Sequence, residues 1–132
     1  MTLVYLDSSA LVKLVVREPE SAALTSFLRE HGERASSTLA LTEVPRALRH
    51  AGFGRAEGRR AQAVLRGVAL VDADRRILST AAAMEPSELR TLDAIHLATA
   101  LTFGDELTAL VTYDRRLTEA AGRARVRALA PA

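Results

Sequence analysis

Four carboxylates in this chain stand where a carboxylate is costly. Asp7 directly follows the apolar run Leu3-Val4-Tyr5-Leu6, and Asp114 follows Leu110-Val111-Thr112-Tyr113. Asp93 falls in the first turn of Thr91-Leu92-Asp93-Ala94-Ile95-His96-Leu97-Ala98, and Glu43 sits within Leu39-Ala40-Leu41-Thr42-Glu43-Val44. An unpaired charge among apolar neighbours is expensive to bury, so each needs a partner. Taken singly, each has an ordinary explanation. Asp7 and Asp114 can cap the helices that follow them. Asp93 can complement a helix N-terminus, and Glu43 can pair with Arg46 or Arg90. A shared divalent cation accounts for all four together, because Mg²⁺ and Mn²⁺ prefer oxygen ligands and carboxylates supply the charge to hold them. There is no Cys to favour a softer metal. His31 and His50 read as exposed, and His96, one turn after Asp93, reads as packing or support for a ligand.

The elements that must position these acids alternate strand and helix. The apolar run 3–6 suits a buried parallel strand, followed by a helix over 8–16 and a helical face of Ala22, Ala23, Phe27 and Leu28 that Gly32 ends. A short strand is expected over 34–37, then a helix over 38–51 with Leu41, Val44 and Leu48 on one side and a kink at Pro45. An Arg-rich helix spans 55–66 and a strand 68–71. A helix over 72–84 turns Ile77, Leu78, Ala81 and Ala82 inward, and another runs over 91–103. A strand over 109–112 leads into a helix over 114–121; Val126 is placed on a last edge strand, and residues 128–132 are expected to fray. This alternation implies a parallel sheet covered on both faces. Asp7 and Asp114 would then share its C-terminal edge, where open α/β sheets place their ligands.

Length and composition agree. The chain has 132 residues, which suits one domain over 1–132, and its 48% apolar content can supply a core. No apolar run nears the roughly 20 residues that span a bilayer. No basic region precedes the first apolar stretch, so a soluble cytoplasmic protein is expected. The net charge is only +2, but Lys13 is the one lysine among 18 basic residues. Arginine can grip phosphate with parallel hydrogen bonds. Two basic stretches, 46–66 and 115–127, hold one acid each, Glu57 and Glu119. From them Arg46, Arg49, Arg55, Arg59, Arg60, Arg115 and Arg116 are candidates to track a nucleic-acid backbone.

The acids also carry a family resemblance. Leu6-Asp7-Ser8-Ser9-Ala10-Leu11-Val12-Lys13-Leu14 resembles the opening of a PIN domain. Thr42-Glu43-Val44-Pro45-Arg46-Ala47-Leu48, Thr91-Leu92-Asp93-Ala94-Ile95-His96-Leu97-Ala98-Thr99-Ala100 and Val111-Thr112-Tyr113-Asp114-Arg115-Arg116-Leu117 resemble its later acidic motifs, in order, across essentially the whole chain. The departure is Pro45, beside the second acid. A chain of this length resembles the toxin of a VapBC toxin–antitoxin pair. That resemblance implies a three-layer α/β/α fold with a mostly parallel sheet of four to five strands. It implies an Mg²⁺- or Mn²⁺-dependent endoribonuclease, a VapB-like antitoxin as partner, and a homodimer, to which an apolar face around Leu24, Phe27 and Leu28 would lend support. By position, Asp7, Glu43, Asp93 and Asp114 match the catalytic acids. Asp7, Asp93 and Asp114 match metal ligands, and Glu43 suits orienting the attacking water. Ser9 and Thr112 match supporting hydroxyls, with Arg46, Arg49, Arg115 and Arg116 as RNA contacts.

Three other readings stand beside it. A signalling receiver domain also holds Mg²⁺ with acids, but it needs an acidic pair at the first strand and a late lysine; here there are Asp7 alone and Lys13. A catalytically silent PIN-like binding module and a DNA nuclease of the same fold share the acids.

Overall fold

The computed structural model describes residues 2–132. The elements run β1 (Leu3–Leu6), α1 (Ser8–Val15), α2 (Ser21–Arg29), β2 (Glu33–Ser37), α3 (Ala40–His50), α4 (Arg55–Arg66), β3 (Ala69–Val71), α5 (Arg75–Ala82), α6 (Thr91–Leu101), β4 (Leu107–Val111), α7 (Arg115–Arg123) and β5 (Ala128–Leu129). All strands are parallel, in the order β3-β2-β1-β4-β5.

Successive side chains of a strand point to opposite faces, and β1 uses both. Val4 and Leu6 enter a core with Leu11, Val15, Leu24, Val44 and Leu48, so α1–α4 cover that face. Leu3 and Tyr5 enter a second core with Leu97, Leu110 and Leu117, under α6 and α7. Ile77 and Ala81 of α5 complete this layer against Ala94, Ile95 and Ala98 of α6. The result is three layers, α/β/α.

The chain winds from β1 to β2 and β3 on one side, and places β4 and β5 on the other. The crevice beside β1 and β4 is therefore the topological switch point, the standard ligand position of such sheets. Register fixes what lies there. Leu6 pairs with Val111, and Asp7 N–H donates to the Val111 carbonyl at 3.2 Å.

Several local expectations change. The α3 helix includes Pro45, and it buries Val44 and Leu48 but leaves Leu41 54% exposed. The α5 helix starts at Arg75 because Asp74 caps it, accepting from Ile77 N–H at 2.9 Å. Ile77 and Ala81 form its buried i,i+4 pair, which turns Leu78 and Ala82 outward. His31 is half-buried against Phe27, with ring centroids 4.0 Å apart, whereas His50 is exposed. The last strand is Ala128–Leu129, not Val126, and the terminus is tied down. Thr112 N–H donates to Leu129 O at 3.0 Å, and Tyr113 Oη donates to Pro131 O at 2.7 Å. Leu24 and Leu28 lie inside the core, so they offer no face for a second copy.

Candidate active site

Each acid reaches the switch point because an element ends or begins there. Asp7 ends β1 and caps α1. Its Oδ1 accepts from Ala10 N–H at 3.0 Å and Ser9 Oγ at 2.6 Å; its Oδ2 accepts from Thr112 Oγ1 at 2.5 Å. Thr112 Oγ1 in turn accepts from Asp114 N–H at 3.1 Å, so one hydroxyl joins the ends of β1 and β4. Asp114 caps α7 through Oδ1, which accepts from Arg116 N–H at 2.8 Å and Leu117 N–H at 3.3 Å. Its Oδ2 stays free of the cap and meets Arg90 Nη2 at 2.6 Å. The same guanidinium donates through Nε to Asp93 Oδ2 at 3.0 Å. Capping and site membership are thus compatible in Asp114: one oxygen serves the helix and the other faces the cluster.

Glu43 comes from the opposite helical layer. It lies in the first turn of α3, and its Oε1 accepts from Ser8 Oγ at 2.7 Å and lies 2.6 Å from His96 Nε2. The pairing with Arg46 or Arg90 considered from the sequence is replaced by Ser8 and His96.

Burial sets the electrostatics. It pushes the Asp7 carboxyl above the usual range, against the hydrogen bonds of Ser9, Thr112 and Ala10. Burial likewise raises Asp93, although Arg90 opposes it. For Glu43, burial acts upward too, but the contacts of His96 and Ser8 outweigh it and leave the carboxyl below its usual value.

Residues 4–123 match the family model for the PIN domain. The chain is 52% identical to Ribonuclease VapC46 of Mycobacterium tuberculosis over 132 residues, covering 99% of each chain. It is 48% identical over 134 residues to Ribonuclease VapC35 of the same species, covering 98% of this chain and 97% of the relative. The chain belongs to the VapC branch of the PIN-domain family. Solved structures share the fold at low identity. VapC20 of M. tuberculosis, described as a sarcin-ricin loop cleaving toxin, superposes with a TM-score of 0.73 at 16% identity, over 89% of this chain and 94% of that one. VapBC2 of Rickettsia felis, solved bound to a promoter DNA fragment, gives 0.75 at 11% identity, over 99% and 100%.

Within this PIN domain, the structure links the acids in two groups. Asp7, Asp93 and Asp114, with Ser9 and Thr112, form one network through Thr112 and Arg90; Glu43 stands in a second, anchored by Ser8 and His96. Arg46, Arg49, Arg115 and Arg116 are exposed, and none forms an ion pair among the described residues. Arg115 and Arg116 open α7 next to Asp114. At 100° per residue, Arg46 lies about 60° round α3 from Glu43 and Arg49 about 120°, so Arg46 is the nearer to the site. Arg90 as a bridge between two acids, and Ser8 as a donor to Glu43, went unread in the sequence. The i,i+3 spacing of Arg90 and Asp93 was the available signal for the first.

The donor set fits a hard divalent cation. The cluster offers carboxylate oxygens, and burial penalises two of its members for carrying charge without a cation. Arg90 already supplies positive charge to Asp93 and Asp114. Among the described residues there is no group of three or more His, Cys, Asp or Glu side chains placed to hold an ion. Mg²⁺ does not require one, since it keeps several waters and uses one or two carboxylates.

Proposed function

We propose that residues 1–132 act as one metal-dependent endoribonuclease domain, the toxin of a toxin–antitoxin pair. The observation that carries this reading is the cluster itself: Asp7 and Asp114 share the Thr112 hydroxyl, and Asp93 and Asp114 share the Arg90 guanidinium, at the switch point of a PIN fold. Its VapC relatives are named ribonucleases, which makes RNA the substrate favoured over DNA.

Asp7, Asp93 and Asp114 would hold Mg²⁺ or Mn²⁺, with Ser9 and Thr112 fixing the Asp7 carboxylate. When bound, the ion offsets charge on the scissile phosphate and lowers the pKa of a coordinated water. Glu43, kept ionised by its donors, orients the water that attacks phosphorus. Arg46, Arg49, Arg115 and Arg116 carry unpaired charge to draw the backbone to an acidic site that would otherwise repel it. The partner is a VapB-like antitoxin, in keeping with solved relatives that are toxin–antitoxin complexes. Among the described residues no helix is long and apolar enough to cross a membrane, and a cellular RNA substrate places the work in the cytoplasm. A homodimer remains part of this reading. Its apolar contacts would come from side chains left exposed, such as Leu78 and Leu92 at 45% each. Sedimentation showing only a 14.2 kDa species at micromolar concentration would reject it.

The deciding experiment incubates the purified chain with RNA in Mg²⁺, in Mn²⁺ and in excess chelator. Cleavage that needs the ion and vanishes in Asp7→Asn and Asp93→Asn supports the assignment. Cleavage that persists in chelator, or in both folded variants, overturns it.

A further inference from the structure

We propose that Tyr5 and His96 are positioning residues for Glu43, forming a hydrogen-bonded chain from the core to the acid site; this rests on the role of Glu43 given above. Tyr5 is fully buried on β1, on the face covered by α6. Its hydroxyl lies 2.7 Å from His96 Nδ1, and the rings meet edge to face with centroids 5.8 Å apart. His96 is 1% exposed, and its Nε2 lies 2.6 Å from Glu43 Oε1.

The direction of the chain follows from proton ownership. A tyrosine phenol holds its proton at neutral pH, so the Tyr5 hydroxyl can donate to Nδ1 at 2.7 Å. With Nδ1 accepting, the ring proton sits on Nε2 and is donated to Glu43. Neighbouring hydroxyls have donated elsewhere: Ser36 Oγ to Leu6 O and Thr99 Oγ1 to Ile95 O, both at 2.6 Å.

Glu43 needs this help. The last torsion of a glutamate is broad, so the side chain alone does not fix the carboxylate plane. Ser8 and His96 both converge on Oε1, which leaves Oε2 without a side-chain partner among the described residues. Two donors on one oxygen set the plane and leave the other oxygen to accept from water. The chain also crosses the sheet edge, tying α6 to α3 of the opposite helical layer. A histidine that only filled space would need neither the tautomer nor the second donor.

The test combines kinetics with nitrogen-15 NMR of the His96 ring. In the wild type at pH 8 the ring is expected as the Nε2–H tautomer. Tyr5→Phe, which keeps the packed ring, should lower kcat about 10-fold, and His96→Leu about 100-fold. His96→Gln, whose amide can still donate to Glu43, should recover part of the loss. KM for a short RNA and Mn²⁺ affinity should stay within about two-fold, since the change falls on the attacking step. An Nδ1–H or doubly protonated ring in the wild type overturns the chain even if no variant folds. Full kcat in folded Tyr5→Phe and His96→Leu, beside an active wild type, overturns the chain alone. A wild type that cleaves no RNA overturns the nuclease reading itself, and the role of Glu43 with it.

Discussion

Arg90 Nη2 stands 2.6 Å from Asp114 Oδ2, across 24 positions of sequence, while its Nε holds Asp93 at 3.0 Å. Asp93 and Asp114 are two of the carboxylates proposed to hold metal, so the arginine and an ion draw on the same oxygens. The arginine side chain is 58% exposed and can swing out. Arg90→Gln should therefore tighten Mn²⁺ binding several-fold by calorimetry. In metal-free buffer it should cost about 1 kcal/mol, or about 4 °C of melting temperature, the upper range for an exposed ion pair. Millimolar Mn²⁺ should raise the melting temperature of the wild type by mass action. Looser Mn²⁺ binding in the variant would show that Arg90 only organises the acids.

Asp7 yields a pH prediction with a definite sign. Burial raises its folded carboxyl pKa, so the native state binds the proton more tightly than the unfolded chain. Stability from this group is present below the unfolded pKa and is lost as pH rises through the folded one. Without metal, Asp7→Asn should melt above wild type at pH 7, and the gain should shrink as pH falls into the carboxylate range. The same variant should lose at least about 100-fold in RNase activity, more than the removal of a residue supporting a metal ligand typically costs. A pH-independent difference in melting temperature would contradict the cause assigned here.

Thr112 is fully buried and serves both strand ends, donating to Asp7 and accepting from Asp114 N–H. Thr112→Val keeps the shape and strands both partners. It should cost about 1–3 kcal/mol in chemical denaturation, and Thr112→Ser should recover most of it. A neutral Thr112→Val would mean that water replaces the hydroxyl.

The exposed arginines predict a salt signature. Removing Arg46 or Arg115 should weaken binding of a non-cleaved RNA evenly across sequences and lower the slope of log K against log salt by about 1 each. Arg49, turned further from Glu43 on α3, should matter less. Equal effects of Arg46→Ala and Arg49→Ala would place the RNA along the helix and not at its site-facing edge.

What the sequence made legible was local. Asp7 after Leu3–Leu6 carries both a strand signal and a cap signal, and both hold in the structure. Leu41 and Leu78 misled because several apolar neighbours fit one helical face, and only packing decides which face is buried. Ala128–Leu129 had no signal of its own; its order comes from pairing with β4. His96, one turn after Asp93, reads from the sequence as packing or support for a ligand, but its partner Glu43 lies 53 positions away. Arg90 was one arginine among many, and only the fold brings Asp114 to it.

The last prediction concerns the antitoxin. A groove of about 720 Å³ runs between α3 and α4, floored by Leu41, Pro45, Ala61 and Leu65 and rimmed by Arg55, Arg59 and Arg66. An amphipathic helix with acids beside its apolar stripe would suit it, and a segment that folds on binding can reach the acid cluster as well. An arginine from that segment would meet carboxylates that already accept a guanidinium from Arg90. Its fork geometry suits paired carboxylates. Leu41→Asp should therefore weaken antitoxin binding while sparing RNase activity. Asp7→Asn and Asp93→Asn should weaken it too, and high Mn²⁺ should compete with it. Because the groove contacts remain, the Asn variants should reduce affinity without abolishing it. Calorimetry of the pair with and without Mn²⁺ separates the two surfaces. Metal-independent affinity, unchanged in both Asn variants, would mean that the antitoxin covers the groove and leaves the acids alone.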